Sequence, residues 1–294
     1  MEAVGFYLFY GFSWVITLLP LPVLYIFSDL LYAAFYYLPG YRRKVVRENL
    51  INSFPEKELK EIILIEKAFY HHLCDVFIET IKLLHMSNRE LMNRMCLLNP
   101  ELFDRLYDEK RDVALVMGHY GNWEWSVCLP FYMKYTSVPI YKPLANKHFD
   151  KFMVKLRSRS HARLTPMADV VREIITLKRE KRLSNFGFIS DQTPPRPEIK
   201  YWTKFLNQDT PVYLGVEKLA MKYNLAVVFL NVQNVRRGYY TVTGELLVEN
   251  PTGMPEHAIT EAHVRRLEEV IKGKPEQWVW SHRRWKYKKE DFHG

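Results

Sequence analysis

A seven-residue segment near the middle of the chain joins a potential base to a potential carboxylate partner. It reads Gly118-His119-Tyr120-Gly121-Asn122-Trp123-Glu124. A short apolar run precedes it, so His119 is predicted to follow a strand, where α/β sheets place their ligands. Glu124 falls in the first turn of the helix that is predicted next. From there its carboxylate is expected to accept the Nδ1 proton of His119 and leave Nε2 free as a general base.

The turn between these two side chains has features of a binding loop. Gly121 allows the backbone to turn tightly, and N–H groups at the start of the helix are expected to stabilise an oxyanion. A His and a Glu five residues apart occur together by chance in many proteins. The preceding strand, the following helix and the two glycines favour an active site over coincidence.

Two other groups of residues invite a chemical role but are better explained by packing. Cys128 lies four residues after Glu124 and offers an acyl-cysteine, yet unpaired cysteines usually pack inside a protein. His71 and His72 are adjacent on a predicted helix and point to different sides of it, which disfavours a shared metal site. The sequence has no Gly-x-Ser-x-Gly nucleophile motif.

Apolar runs and helical periodicity alternate along the rest of the chain. Strands are predicted at 113–117, 138–141, 185–189, 226–232 and 239–248, and helices at 57–84, 170–180, 211–223 and 257–272. This alternation predicts an α/β fold, a layered sheet flanked by helices. No internal repeat or long linker divides residues 41–294, which we expect to form one domain.

The N-terminal segment is apolar and almost uncharged. Between Val4 and Leu38 its only charged residue is Asp29, and Pro20 and Pro22 divide it into two halves. A bilayer core takes about 20 apolar residues in a helix. We therefore expect residues 1–40 to form a membrane anchor, as a membrane helix or a helical hairpin. A buried helical pair of a soluble fold is the alternative.

The charge distribution supports a membrane surface nearby. The net charge is +9, and all 42 Lys and Arg residues follow residue 40. The first of them, Arg42, Arg43 and Lys44, predict by the positive-inside rule that the body lies in the cytoplasm. A basic body suits anionic lipid, an acidic protein partner or nucleic acid. Three cysteines are too few for a secreted protein built on a disulfide framework.

The segment 118–124 resembles the His-x4-Asp/Glu motif of glycerolipid-type acyltransferases. Over nearly its whole length the chain resembles the lipid A biosynthesis acyltransferases, the late (secondary) acyltransferases of Gram-negative bacteria. Supporting blocks occur in the family's order: Arg47-Glu48-Asn49-Leu50 with Phe54-Pro55-Glu56, Tyr141-Lys142-Pro143 with Asn146, Asp150, Arg157 and Arg159, Ser190-Asp191-Gln192 with Thr193-Pro194-Pro195, and Pro275–Trp278 with His282–Lys286. Lys142 departs from the family, which usually has Arg there.

The resemblance implies a glycerolipid-acyltransferase-like sheet and a membrane-bound enzyme of the bacterial inner membrane. It implies that a fatty acyl chain moves from acyl carrier protein to a hydroxyl of a lipid A precursor, with His119 as general base oriented by Glu124. No cofactor and no metal are implied, because the acyl thioester is already activated. The implied substrate-binding residues are Asn122, Arg157, Arg159, Asp191 and Gln192. A solvated basic helix is the alternative for the two arginines, and a structural turn is the alternative for Asp191.

Two other functions are compatible with the sequence. An N- or O-acyltransferase of the same fold, acting on an aminolipid or glycerolipid, differs only in its acceptor. A basic membrane-associated nucleic-acid-binding protein would use the tail 282–289, where Arg and Lys alternate with Trp285 and Tyr287. No nucleic-acid-binding module is recognisable, so we expect no nucleic-acid partner.

Overall fold

The computed structural model describes residues 2–38 and 40–292. The ten α-helices in that part of the chain are Glu2–Ile16 (α1), Leu21–Tyr37 (α2), Arg43–Ser53 (α3), Leu59–Lys82 (α4), Asn88–Arg94 (α5), Pro100–Asp108 (α6), Lys147–Arg157 (α7), Val170–Arg179 (α8), Gly215–Tyr223 (α9) and Ala258–Gly273 (α10). The nine strands are Met95–Leu97 (β1), Val113–Met117 (β2), Thr136–Tyr141 (β3), Thr165–Pro166 (β4), Ser184–Ile189 (β5), Trp202–Phe205 (β6), Gln208–Pro211 (β7), Ala226–Arg236 (β8) and Tyr239–Val248 (β9). A 3-10 helix at Trp123–Tyr132 follows the His119 segment.

Seven strands form one sheet, in the order β1-β9-β8-β2-β5-β3-β4, and β6 pairs with β7 in a separate antiparallel hairpin. In the large sheet β8 and β9 are antiparallel, and all other neighbours are parallel. Every residue of the central strand β2 is buried. Val113 and Leu115 belong to one hydrophobic core, whereas Ala114 and Val116 belong to a second, because successive side chains of a strand point to opposite faces. The prediction of an α/β layered sheet is confirmed.

The predicted elements agree with the structure over most of the sheet. The strands predicted at 113–117 and 239–248 have the same bounds in the structure. The helix predicted at 211–223 begins only at Gly215, because Gln208–Pro211 is a strand that pairs with β6. The three-residue strand β1 and the short helices α5 and α6 were not predicted, since each is too short to show a period.

The apolar N-terminal segment forms α1 and α2, with the break at Pro20, which is the N-cap residue of α2. Among the described residues, no helix combines the length and the apolar character that crossing a bilayer requires. The predicted membrane-spanning helix is therefore not found, and two shorter helices stand in its place.

The inner face of α2 belongs to the protein core. Leu21 and Leu24 are almost completely buried in the hydrophobic core that also contains part of β2. Three hydroxyl groups of α2 donate hydrogen bonds to three carboxylates of α4, in the pairs Tyr25–Glu79 (2.7 Å), Ser28–Asp75 (2.6 Å) and Tyr36–Glu66 (2.9 Å). Lys82, at the end of α4, donates to the backbone carbonyls of Thr17 and Leu19 at 2.8 Å each. The α4 helix therefore holds both α2 and the turn before it.

The outer faces of α1 and α2 are apolar and exposed. On α1 the exposed residues Val4, Leu8, Phe12 and Val15 recur at three- and four-residue steps, and Ile26 and Leu30 do so on α2. More than half of the large apolar side chains that are exposed in the described part of the chain lie between residues 4 and 38. An exposed apolar surface of this kind marks an interaction site in a folded protein.

Glu79 is the buried polar centre that joins α2 to the sheet and to the segment after β2. Its carboxylate accepts hydrogen bonds from Tyr25 (2.7 Å), from Tyr240 on β9 (2.8 Å) and from the side-chain amide of Asn122 (2.7 Å). Its backbone carbonyl accepts a further bond from the indole of Trp125 at 3.0 Å. Burial raises the pKa of Glu79 to about 7, although the three side-chain donors act in the opposite direction.

We predict that the pKa of Glu79 makes protein stability depend on pH. The folded-state pKa of about 7 lies above the ordinary value of 4.5, so the folded state keeps a proton that the unfolded state loses. This stabilisation is complete below pH 4.5 and is lost as the pH rises through about 7. Glu79→Gln is neutral at every pH. Between about pH 5 and about pH 8 the wild type should lose this stabilisation and Glu79→Gln should not. The free energy of unfolding of Glu79→Gln minus that of wild type should therefore rise by about 2–3 kcal/mol.

Denaturant unfolding of both proteins at both pH values measures this difference. Glu56→Gln is the matched control, because Glu56 is exposed and should give the same difference at both pH values. A Glu79→Gln difference that does not change with pH would contradict the prediction.

Candidate active site

His119 and Asp191 are brought together by the register of two parallel strands. Met117, the last residue of β2, pairs with Ile189, the last residue of β5. His119 and Asp191 each lie two residues beyond these ends, at the carboxyl edge of the sheet. The Nδ1–H group of His119 donates to Oδ1 of Asp191 at 2.6 Å, and its backbone N–H donates to Oδ2 at 2.8 Å. This contact fixes both the position and the tautomer of the imidazole.

The environment of Asp191 keeps its carboxylate charged. The side chain is 1% exposed, and Oδ2 accepts a further hydrogen bond from the indole N–H of Trp278 at 2.8 Å. Burial acts to raise the pKa of Asp191, but the imidazole and the donated hydrogen bonds outweigh it and lower the pKa to about 2. At neutral pH Asp191 is therefore an anion that can stabilise an imidazolium on His119.

The second ring nitrogen of His119 is available for chemistry. With Nδ1 protonated, Nε2 of the neutral ring is an acceptor, and the side-chain amide of Gln192 approaches it at 3.4 Å. The His119 side chain is 20% exposed, so the ring is accessible from outside. The Trp123 ring meets the imidazole edge to face, with 5.2 Å between the ring centroids. This arrangement suits a general base with one shielded side and one open side.

The prediction that Glu124 orients His119 is wrong. The Glu124 carboxylate instead binds the Arg157 guanidinium in a bidentate pair, with distances of 2.6 Å and 3.0 Å. A planar guanidinium matches both carboxylate oxygens, and Asp191 already occupies the Nδ1 proton of His119. Burial opposes the charge on Arg157, but the bonds from Glu124 outweigh it and raise the Arg157 pKa above its ordinary value.

Two further residues predicted to bind substrate are occupied inside the protein. Asn122 is buried, donates to Glu79 and accepts the backbone N–H of Trp125 at 3.0 Å, so it caps the 3-10 helix. Arg159 donates to the backbone carbonyls of Leu83 and Met86 and to the side chain of Asn88. In this structure both side chains are therefore hydrogen-bonded within the protein itself. Gln192 lies next to His119, and Arg157 is linked to it through Glu124 and Trp123.

The loop between His119 and the 3-10 helix is shaped by Gly121. Gly121 has a positive φ of 59°, and a Cβ atom there would lie 2.9 Å from Val232. Its N–H donates to the carbonyl of Gln277 at 3.1 Å, and its carbonyl accepts a bond from Nε2 of His72 at 3.1 Å. The N–H groups of Gly121 and Trp125 are thus already bonded, so neither contributes to the predicted oxyanion site.

Two residues that support the site were not predicted from the sequence. Trp278 donates to Asp191 and is 1% exposed. His72 holds the Gly121 carbonyl, and burial lowers its pKa, which keeps the ring neutral. Each lies far along the chain from His119, so no local motif includes both partners. Asp191 itself gave a local signal, because β2 and β5 are each followed two residues later by a polar side chain, His119 and Asp191.

Comparison with known proteins identifies the family. The profile of the family described as bacterial lipid A biosynthesis acyltransferase matches residues 1–287. The chain therefore belongs to this acyltransferase family, as the resemblance of its motifs implied. A search of curated proteins gave no match.

We predict that Cys128 is unreactive in the folded protein. Its side chain is completely buried, as the sequence indicated, and burial raises its pKa to about 12. Cys74 is also buried, with its pKa raised to about 12, mainly by burial, whereas Cys96 is partly exposed. Iodoacetamide at pH 8 should therefore label Cys96 alone, as read by mass spectrometry of tryptic peptides. Labelling in denaturant, which should reach all three thiols, is the control. Rapid labelling of Cys128 in the native protein would reopen it as a nucleophile.

Proposed function

We propose that this member of the lipid A biosynthesis acyltransferase family transfers a fatty acyl chain from acyl carrier protein to a hydroxyl of a lipid A precursor. The observation that carries the proposal is the His119–Asp191 pair at the carboxyl edge of the sheet. It leaves Nε2, the other ring nitrogen of a side chain that is 20% exposed, for the activation of an acceptor hydroxyl.

In the proposed reaction, Nε2 of His119 takes the proton of the acceptor hydroxyl while the hydroxyl oxygen attacks the thioester carbonyl. The Asp191 carboxylate stabilises the imidazolium that forms, as the anion behind a catalytic histidine does in other acyl transfers. Collapse of the tetrahedral intermediate releases the thiolate of the carrier, which receives the proton from Nε2. The amide of Gln192, next to Nε2, is placed to donate to the developing oxyanion.

The Arg157–Glu124 pair is proposed to position the acceptor. Arg157 uses Nε and one terminal nitrogen for Glu124, and its guanidinium carries further N–H groups. The Arg157 side chain is 26% exposed and Trp123, which touches His119, also donates to Glu124 at 3.2 Å. Arg157 is thus connected to the base through Glu124 and Trp123, and a phosphate bound at Arg157 is proposed to position the acceptor for His119. Glu124 acts in this scheme through Arg157 rather than on His119.

Membrane attachment is proposed to occur through the outer faces of α1 and α2, which lie in the plane of the bilayer interface. Leu8 is 71% exposed and Leu30 is 63% exposed, and the exposed surface between residues 4 and 38 is uncharged apart from Asp29. Arg42 and Lys44 are exposed just after this surface, where they suit anionic headgroups. The proposed location is the bacterial inner membrane, with the catalytic domain facing the cytoplasm.

The alternative acceptors would react by the same acyl transfer. An aminolipid or glycerolipid acceptor would use the same base, and mass spectrometry of the reaction products distinguishes them from an acylated lipid A precursor. The nucleic-acid alternative is disfavoured by the tail, because Arg284 is buried and the indole of Trp285 donates to Thr210 inside the fold. Arg284 and Trp285 are therefore not available to bind bases or phosphates, whereas Arg283 and Lys286 are exposed.

We predict that His119→Asn and Asp191→Asn each lower the rate of acyl transfer by roughly a hundredfold or more. The first variant removes the base, and the second removes the anion that sets the tautomer and stabilises the imidazolium. Glu124→Gln should lower the rate less and raise the KM for the acceptor, because Glu124 holds Arg157. The measurement is transfer of labelled acyl chains from acyl carrier protein to lipid acceptors, analysed by mass spectrometry.

His161→Asn is the matched control for these variants, since His161 is exposed and adopts a positive φ that Asn tolerates. It should retain full activity. Near-normal turnover by folded His119→Asn would refute the assignment of the base. A Glu124→Gln defect as deep as that of Asp191→Asn would instead restore Glu124 to a direct role in the chemistry.

We predict that the double variant Leu8→Ser/Phe12→Ser binds vesicles of phosphatidylethanolamine and phosphatidylglycerol at least about tenfold more weakly than wild type. Burial of each side chain in lipid contributes about 1–2 kcal/mol, and both are exposed in the folded protein. The double variant Val171→Ser/Ile175→Ser changes two exposed apolar residues on α8 and is the matched control. Vesicle sedimentation measures both. Equal binding by the two variants would exclude α1 as the membrane contact.

A further inference from the structure

A small cavity lies beside Asp191. It has a volume of about 10 Å³ and is lined by Asp191, His263 on α10 and Arg284, together with apolar side chains that include Met117 and Leu267. A single water molecule occupies roughly 10–15 Å³ by the same kind of measure and needs two to four polar partners. The space therefore has the size and the polar lining of a site for one water molecule.

Two of the polar side chains around this space have atoms without a partner among the described residues. Arg284 is 2% exposed and donates through one terminal nitrogen to the carbonyl of Pro211 at 2.8 Å. Its Nε and its other terminal nitrogen have no hydrogen-bond partner in the described part of the chain, and neither has Nε2 of His263, which is 6% exposed. Leaving a buried polar atom unsatisfied costs about 1–3 kcal/mol. Three such atoms around one space point to a bound molecule that satisfies them.

Arg284 is also a buried cation. Burial lowers the pKa of Arg284 to about 10, so the guanidinium stays charged at neutral pH. A buried charge requires a counter-charge, and Asp191 is the carboxylate that lines the same space. The anion that holds His119 is therefore faced by a permanent cation within the protein.

We propose that one ordered water molecule in this space joins Arg284 to Asp191 and His263, and that Arg284 is a positioning residue for the reaction. The proposal rests on the proposed role of His119 as the base. The water molecule links the Arg284 guanidinium to the Asp191 carboxylate through hydrogen bonds. Because Asp191 favours the imidazolium form of His119, a cation behind Asp191 opposes that effect.

Other charged or titratable groups around the pair do not replace Arg284. They are His263, His282, Tyr213, Lys286 and the Glu124–Arg157 pair. Burial lowers the pKa of His263 and that of His282 to about 4, so both rings are neutral at pH 7. The Glu124–Arg157 pair balances its own charge, Tyr213 has its pKa raised, mainly by burial, and Lys286 is exposed. Arg284 is the buried cation of this set.

The first test is a crystal structure of the wild-type protein at a resolution that shows ordered water. We expect one water molecule within hydrogen-bond distance of Arg284 and of Asp191 or His263. A dry space, or direct contact between the guanidinium and the carboxylate, would overturn the water site. This test requires neither activity nor a variant, so it stands even if acyl transfer is not found.

The second test compares Arg284→Met with Arg284→Lys. Loss of the charge in Arg284→Met should move the acid limb of kcat/KM to higher pH by about half a unit to one unit. The rate should therefore fall by about 3–10-fold below the limb and change little well above it. Arg284→Lys keeps the charge and should keep the limb near its wild-type position. NMR titration of the His119 ring reads the same shift without turnover.

Arg196→Met is the matched control, because Arg196 is exposed and its loss should leave the limb and the His119 titration unchanged. Circular dichroism and thermal unfolding establish that each variant is folded. If Arg284→Met is folded and titrates like wild type, Arg284 does not position the pair. If Arg284→Met does not fold, Arg284→Lys provides the test. When the water molecule is present in Arg284→Lys, an acid limb that moves to higher pH, as expected for loss of the charge, would overturn the electrostatic role of Arg284.

Discussion

The candidate site depends on the hydrogen bonds that the Asp191 carboxylate accepts. The carboxylate accepts three hydrogen bonds from two separate segments, the loop that begins at His119 and the segment that contains Trp278. One of its oxygens fixes the imidazole and the other holds two N–H groups. All three donors bind one buried anion. The orientation of the proposed base and the position of the C-terminal segment over the sheet therefore depend on the same carboxylate.

The sequence predicted the sheet and the position of His119 well, because both depend on local patterns. Buried strands show as apolar runs, and β2 and β9 have their predicted bounds. The partner of His119 was predicted wrongly, because spacing along the chain favoured the nearby Glu124 over Asp191, 72 residues away. Only the parallel register of β2 and β5 brings Asp191 into contact. The family resemblance implied a substrate role for Asn122 and Arg159, and the sequence did not show that both side chains are hydrogen-bonded within the protein.

The N-terminal segment illustrates a different limit of sequence analysis. Its apolar composition is typical of lipid-facing helices, and its outer faces keep that character. Hydropathy does not reveal that Tyr25, Ser28 and Tyr36 point their hydroxyl groups at carboxylates of α4. Those buried polar bonds make the inner face of α2 part of the folded core. A segment can thus be apolar throughout and still divide its two faces between protein and another apolar environment.

Helix α4 contacts both the N-terminal helix α2 and the loop beside His119. His72 and Glu79 lie two turns apart on it, and they hold the Gly121 carbonyl and the Asn122 side chain of the loop beside His119. Glu79 also receives the hydroxyl of Tyr25, so the loop and α2 share one anchoring group. Fluctuations that lift α2 from α4 would therefore loosen the loop in the same opening event. In hydrogen-exchange terms, we expect the amides of α2 and of the loop to belong to one cooperative unit, because both are bonded to Glu79.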